Sequence, residues 1–228
     1  MLKNYIEQQQ KKLENNSLIY TPTGLHIFFQ HPVENVDVEA VISKVENTVP
    51  LHLLENIEMI IFGWFDEFDE RDINAFYDDG ALYISHIQDD EKDLYDDIVH
   101  EVAHSLEEAF SYQIYGDGKI KNEFLGKRKQ LHDLMWGAGY KIPLSFFTET
   151  EYSKEFDELL YQEIGYDRLS TFAAGIFLSP YAVTSLREYF ATGFTEFYLD
   201  SNHNFFKKTN PQLYKKIIML QNPIELDI

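Results

Sequence analysis

The chain has no cysteine in its 228 residues, which excludes both disulfide bonds and thiolate metal ligands. Any transition-metal site must therefore be built from His, Asp and Glu. Positive charge is scarce too: 19 Lys and Arg face 39 Asp and Glu, a formal net charge of −20. Without a basic stripe, nucleic acid is not an expected partner. DNA mimicry by the acidic surface has only the charge behind it, and acidic faces are ordinarily just solvated. No apolar run is long enough to cross a membrane, and the opening MLKNYIEQQQKKLENN lacks the apolar core of a signal peptide. The expectation is a product made in the cytoplasm with no membrane association; leaderless export or packaging in a phage particle would look the same. Internal repeats, low-complexity tracts and linkers are missing, and nothing fixes an oligomeric state.

What is present is globular, with 44% hydrophobic and 25% charged residues. That is enough apolar material for one domain over 1–228. Periodicity predicts a polar helix to about Asn16, a strand in GLHIFFQ (24–30), and a helix with Val38, Val41, Ile42 and Val45 on one face. A strongly apolar strand follows in IEMIIFGWF (57–65), then a solvated acidic loop in DEFDERD (66–72), then a short strand in GALYIS (80–85). A helix carrying DDIVHEVAHSLEEAF comes next, and this order is α+β. Residues 116–170 read as a helical insertion containing FLGKRKQLHDLMW and EFDELLYQEI. SPYAVTSLREYFATGFTEFYL forms a later helix capped by Thr184 or Ser185, and NPQLYKKIIMLQ closes the chain.

The chemistry is concentrated in HEVAH, residues 100–104. On a helix, positions four apart share a face, so His100 and His104 can offer imidazole nitrogen to one ion. Glu101 is rotated about a quarter turn away, so it is not expected to ligate alongside them, but it borders the same cleft, where it can accept a proton from an activated water. Ile98, Val99, Val102, Ala103 and Leu106 supply the packing face. A zinc site needs a third ligand, and HSLEEAFSYQ offers no further histidine. Glu188 and Glu196, on the later helix, are the candidates. Ser185-x-x-Glu188 matches a capping box equally well, in which the glutamate bonds a backbone amide; with Thr184 as cap, Glu188 is free to ligate.

HEVAH followed by SPYAVTSLREYFA resembles the gluzincin metallopeptidases of the anthrax lethal factor and Pro-Pro endopeptidase type. In that family a tyrosine stands seven residues before the ligating glutamate, as Tyr181 stands before Glu188 here. Ala182, Thr184, Phe190 and Ala191 complete the local pattern. The resemblance implies a zincin-like fold, a small mixed sheet with an active-site helix and a largely helical C-terminal part. It also implies one Zn²⁺ per chain held by His100, His104 and Glu188, with Glu101 as general base and acid and Tyr181 stabilising the oxyanion. The function implied is a zinc-dependent endopeptidase acting on a peptide or protein, with substrate added along ALYIS as an edge strand. The alternative is an inactive, acidic binding or particle-associated protein on the same fold. Where family members carry an acidic residue four after the glutamate, this chain has Thr192. Asp97 and Glu108 are the carboxylates offered in its place to orient a ligand histidine.

Overall fold

The computed structural model describes residues 18–71, 73–199 and 203–226; the polar helix expected to about Asn16 lies outside them. The chain divides into two compact units, 1–106 and 107–228.

The first unit is built on a five-stranded sheet: β1 (Leu18–Tyr20), β2 (His26–Phe29), β3 (Met59–Gly63), β4 (Ala75–Asp78) and β5 (Ala81–Ser85), in the order β1-β2-β3-β5-β4. β2, β3 and β5 are mutually parallel, and β1 and β4 run antiparallel at the two edges. Alternation buries Ile60 and Phe62 of β3 and Leu82 and Ile84 of β5. Helix α1 (Val38–Thr48) lays Val38, Val41, Ile42 and Val45 into this core, starting where Asp37 Oδ1 accepts from Ala40 N at 3.0 Å. The packing is visible around one small void, where Ile42 and Val45 meet Ile60, Leu82, Ile98 and Val102.

Two sequence expectations fail in this unit. The acidic stretch expected as a loop forms a short helix, α2 (Asp66–Arg71). Phe68 explains it: the ring is buried edge-on against Trp64, Phe65 and Phe76, so the turn has an apolar anchor. Asp66, Glu67 and Asp69 also sit in the first turn, where the helix dipole favours negative charge, and Asp69 accepts from Trp64 Nε1 at 3.1 Å. The second failure concerns β5, which is an inner strand paired with β3 and β4, not the open edge expected for ALYIS. Asp79 and Gly80, with φ of 42° and 83°, make a tight left-handed turn that folds β4 back across β5 and takes the edge position.

Helix α3 (Glu91–Tyr115) follows β5, with non-helical angles at Phe110, and the boundary between the units falls within it after Leu106. In the second unit the remaining elements are helical. They are α4 (Lys119–Gly137), α5 (Lys154–Glu158) running into a π turn (Leu159–Ile164), α6 (Tyr166–Ala173), α7 (Leu186–Leu199), α8 (Asn204–Thr209) and α9 (Pro211–Leu220). Short 3-10 turns span Leu144–Phe147, Tyr181–Val183 and Pro223–Leu226. The helical character expected for 116–170 is therefore present. α9 packs on α4 and α7, and Glu123 of α4 caps it by accepting from Gln212 N at 2.8 Å and Leu213 N at 3.0 Å. The architecture as a whole is mixed α+β, a small mixed sheet followed by helices.

Candidate metal centre

Helix α3 begins at a side-chain cap: Asp90 Oδ1 accepts from Lys92 N at 2.8 Å and Asp93 N at 2.9 Å. Leu94, Tyr95, Ile98, Val99, Val102, Ala103 and Leu106 recur at helical spacing and are fully buried, which fixes the rotation of the helix about its axis. Tyr95 adds a polar fastening to α1, its hydroxyl 2.9 Å from Thr48 Oγ1 and its ring beneath Lys44 Nζ at 4.0 Å. With that face committed to the core, His100, Glu101 and His104 fall together on another.

The two imidazole rings lie with centroids 5.0 Å apart. One ligand atom each from His100, Glu101 and His104 lies within 4.8 Å of the others. Glu101 is 6% exposed and the histidines are half-buried. Two nitrogens and a carboxylate oxygen suit a borderline divalent ion such as zinc, whose donors sit at about 2 Å and hence about 3.4 Å from one another. This group could hold a metal ion. Glu101 thus belongs to the same cluster as the histidines, although a quarter-turn offset sets it apart from them as a ligand.

The surroundings are acidic. Asp97, one turn before His100, accepts from Gln88 Nε2 at 3.2 Å. Burial raises its carboxyl to about 7; the Gln88 bond opposes this, while Asp93, Asp96 and Glu101 add to it. Asp96 is raised as well, chiefly by burial, with the His100 charge acting against it.

The other sequence candidates belong to the second unit. Tyr181 opens the 3-10 turn and is 39% exposed, whereas Ala182, Val183, Thr184 and Ser185 behind it are buried. Ser185, not Thr184, is the N-cap of α7, its Oγ accepting from Glu188 N at 3.1 Å. Thr184 instead donates its hydroxyl to Tyr181 O at 2.8 Å. Glu188 is thus the third residue of α7, the position that the capping-box reading and not the Thr184-capped one gave it, and it is half-buried, while Glu196 lies eight residues farther along the same helix.

Three features of this unit escape a sequence reading. Glu107 is buried, accepting from Arg187 Nε at 2.8 Å and from the Tyr115 hydroxyl. Burial, with that carboxylate next, raises the Tyr115 hydroxyl far above its ordinary range. Lys127 is buried and donates to Ile176 O and to Thr209 O, and burial lowers its ammonium to about 8. Arg128, its neighbour, is fully buried among backbone carbonyls. The run Lys127-Arg128-Lys129 gives no hint of this, because charged runs are normally solvated and the partners are far away in sequence. Comparison of the chain with protein-family models, with curated proteins and with solved structures gives no match.

Proposed function

We propose that the chain is a zinc-dependent endopeptidase of zincin-like fold, resembling the lethal factor-type gluzincins. The observation that carries the reading is the convergence of His100, Glu101 and His104 on one face of a helix whose opposite face is locked in the core. In this reading His100, His104 and Glu188 hold one zinc ion. When bound, the ion would supply Lewis acidity, polarising the scissile carbonyl and acidifying a water. Glu101 takes the proton of the attacking water and delivers it to the departing amine. Tyr181, an exposed residue, donates its hydroxyl to the oxygen that becomes negative as the carbonyl turns tetrahedral. Substrate adds to the sheet at β4, the strand with a single strand neighbour on this side.

Elemental analysis of the purified chain is the direct test. One equivalent of zinc is expected, lost in His100→Ala, His104→Ala and Glu188→Ala, with cleavage in a peptide-library digest abolished by chelator. Absence of stoichiometric metal, or zinc retained in full by Glu188→Ala, overturns the ligand assignment; in the second case Glu196 is the next glutamate to change. Zinc bound without any cleavage would instead favour an acidic binding protein.

A further inference from the structure

The carbonyls of Val183 and Thr184 lie just outside α7, which starts afresh at Ser185, so no bond within that helix uses them. Buried carbonyls need donors. Arg128, on α4, supplies them. Its Nε and Nη2 reach Val183 O at 2.8 and 2.6 Å, and Nη2 also reaches Thr184 O at 2.6 Å. On the other side Nη1 donates to Phe146 O at 3.1 Å and to Glu149 O. The plane of the guanidinium is held between Phe124 and Phe156, each with its ring centroid 4.7 Å away. A second strut runs alongside, from Leu186 N to Thr150 O at 2.8 Å. Segments 146–150 and 183–186 are thereby clasped through a single fully buried side chain.

The consequence is local to Tyr181. Its ring stands out while the four residues that follow are buried, so the direction of the hydroxyl is set by how rigidly the base of the turn is held. Thr184 contributes by bonding back to Tyr181 O, and Arg128 fixes Thr184 in turn. We propose that Arg128 is a positioning residue for catalysis that acts through Tyr181, making the 116–170 segment part of the catalytic apparatus. This rests on the reading of Tyr181 as the oxyanion donor. A donor displaced by about 1 Å can cost on the order of 10²-fold in rate, so a clamp of this kind has large leverage. Lysine keeps the charge but not the planar fork that spans both segments.

The test uses the full chain carrying zinc, in four forms: wild type, Arg128→Lys, Tyr181→Phe and the double variant. Arg128→Lys is expected to melt cooperatively and to lose about 10- to 100-fold in kcat with KM within about threefold. Amide exchange across 182–189 should rise, while exchange at Gln212 and Leu213, capped by Glu123, stays as in wild type. In the Tyr181→Phe background the same change should cost less than about threefold more, because both variants remove one interaction. Wild-type kcat in Arg128→Lys, or losses that multiply in the double variant, overturn the proposal. Where Arg128→Lys does not fold, Phe156→Leu, which removes one face of the clamp, takes its place with the same expected pattern. A wild-type chain that cleaves no peptide sinks the enzymatic reading and the catalytic role with it. The exchange measurement then still decides the clamp, which stands if protection is lost at 182–189 and falls if it is kept.

Discussion

The two units solve different electrostatic problems. Residues 1–106 carry 22 Asp and Glu against six Lys and Arg, a net of −16, whereas residues 107–228 carry 17 against 13, a net of −4. The first unit buries an apolar sheet; among its described residues the acid in the buried class is Glu101, at the candidate metal centre, with Asp97 partly buried one turn away. Among the described residues of the second unit the buried charges are Glu107, Lys127 and Arg128, which hold backbone segments and partner side chains. Buried charge thus coincides with the candidate metal centre in one unit and with scaffolding in the other. A perturbed or buried ionisable group identifies a functional site only when its partners leave it something to react with.

The sharpest way to break this comparison is at Glu101. Glu101→Gln should keep its fold and its zinc while peptide hydrolysis falls about 10³-fold or more, because the attacking water loses its proton acceptor. Wild-type turnover in that variant would remove the first unit's claim to chemistry. Next in size is Tyr181→Phe, expected to lower kcat about 10²-fold with melting temperature nearly unchanged. A structural tyrosine behaves the other way, with stability lost and turnover per folded molecule preserved; side-by-side kinetics and melting curves separate the two.

Packing in the helical unit can be probed at two glycines. A Cβ at Gly193 of α7 would meet Leu213 Cδ2 and lie 2.9 Å from its Cγ, and Leu213 is fully buried. Gly193→Ala should therefore destabilise by about 1–3 kcal/mol. Gly126 of α4 is exposed with open space around it, so Gly126→Ala should stabilise by about 0.5–1 kcal/mol through helix propensity alone. Chemical denaturation of both reads the contrast, and equal effects would mean that α7 and α9 do not approach so closely.

The last contrast is the pH dependence of Asp97. Its carboxyl is raised to about 7 in the folded chain, chiefly by burial, against about 3.9 when unfolded. Below about pH 4 both states hold the proton and no penalty exists. As pH rises from about 4 to 7 the unfolded chain ionises first, so stability falls, and the penalty is complete above about 7. In metal-free protein, Asp97→Asn should therefore gain at least about 2 °C over wild type at pH 8 relative to pH 4. A difference that does not change with pH would show that Asp97 ionises freely in the folded state.

How far the sequence could be read follows the range of the interactions. α1 was visible because Val38, Val41, Ile42 and Val45 are a local pattern, and so were the cores of β2, β3 and β5. β4 was missed although Asp79-Gly80 is a strong hairpin signal beside Ala75–Asp78, and missing it put β5 at the edge. The acidic run 66–71 read as a loop because charge outweighed its single anchor, Phe68, whose partners become neighbours only in the fold.

At the candidate site the sequence alone determined that His100 and His104 share one face of a helix with Glu101 beside them, since a four-residue spacing fixes that face through backbone geometry. It also determined that no thiolate can take part. Only the tertiary structure decided that Ser185 rather than Thr184 starts α7, because Thr184 is drawn away by Tyr181 O and Arg128. It alone decided that a lysine and an arginine from a charged run go inward, where carbonyls from residues 146–209 await them. Local spacing is written in the chain itself, but a buried cation is tolerable only where distant segments bring it acceptors, and no short stretch of sequence specifies that meeting.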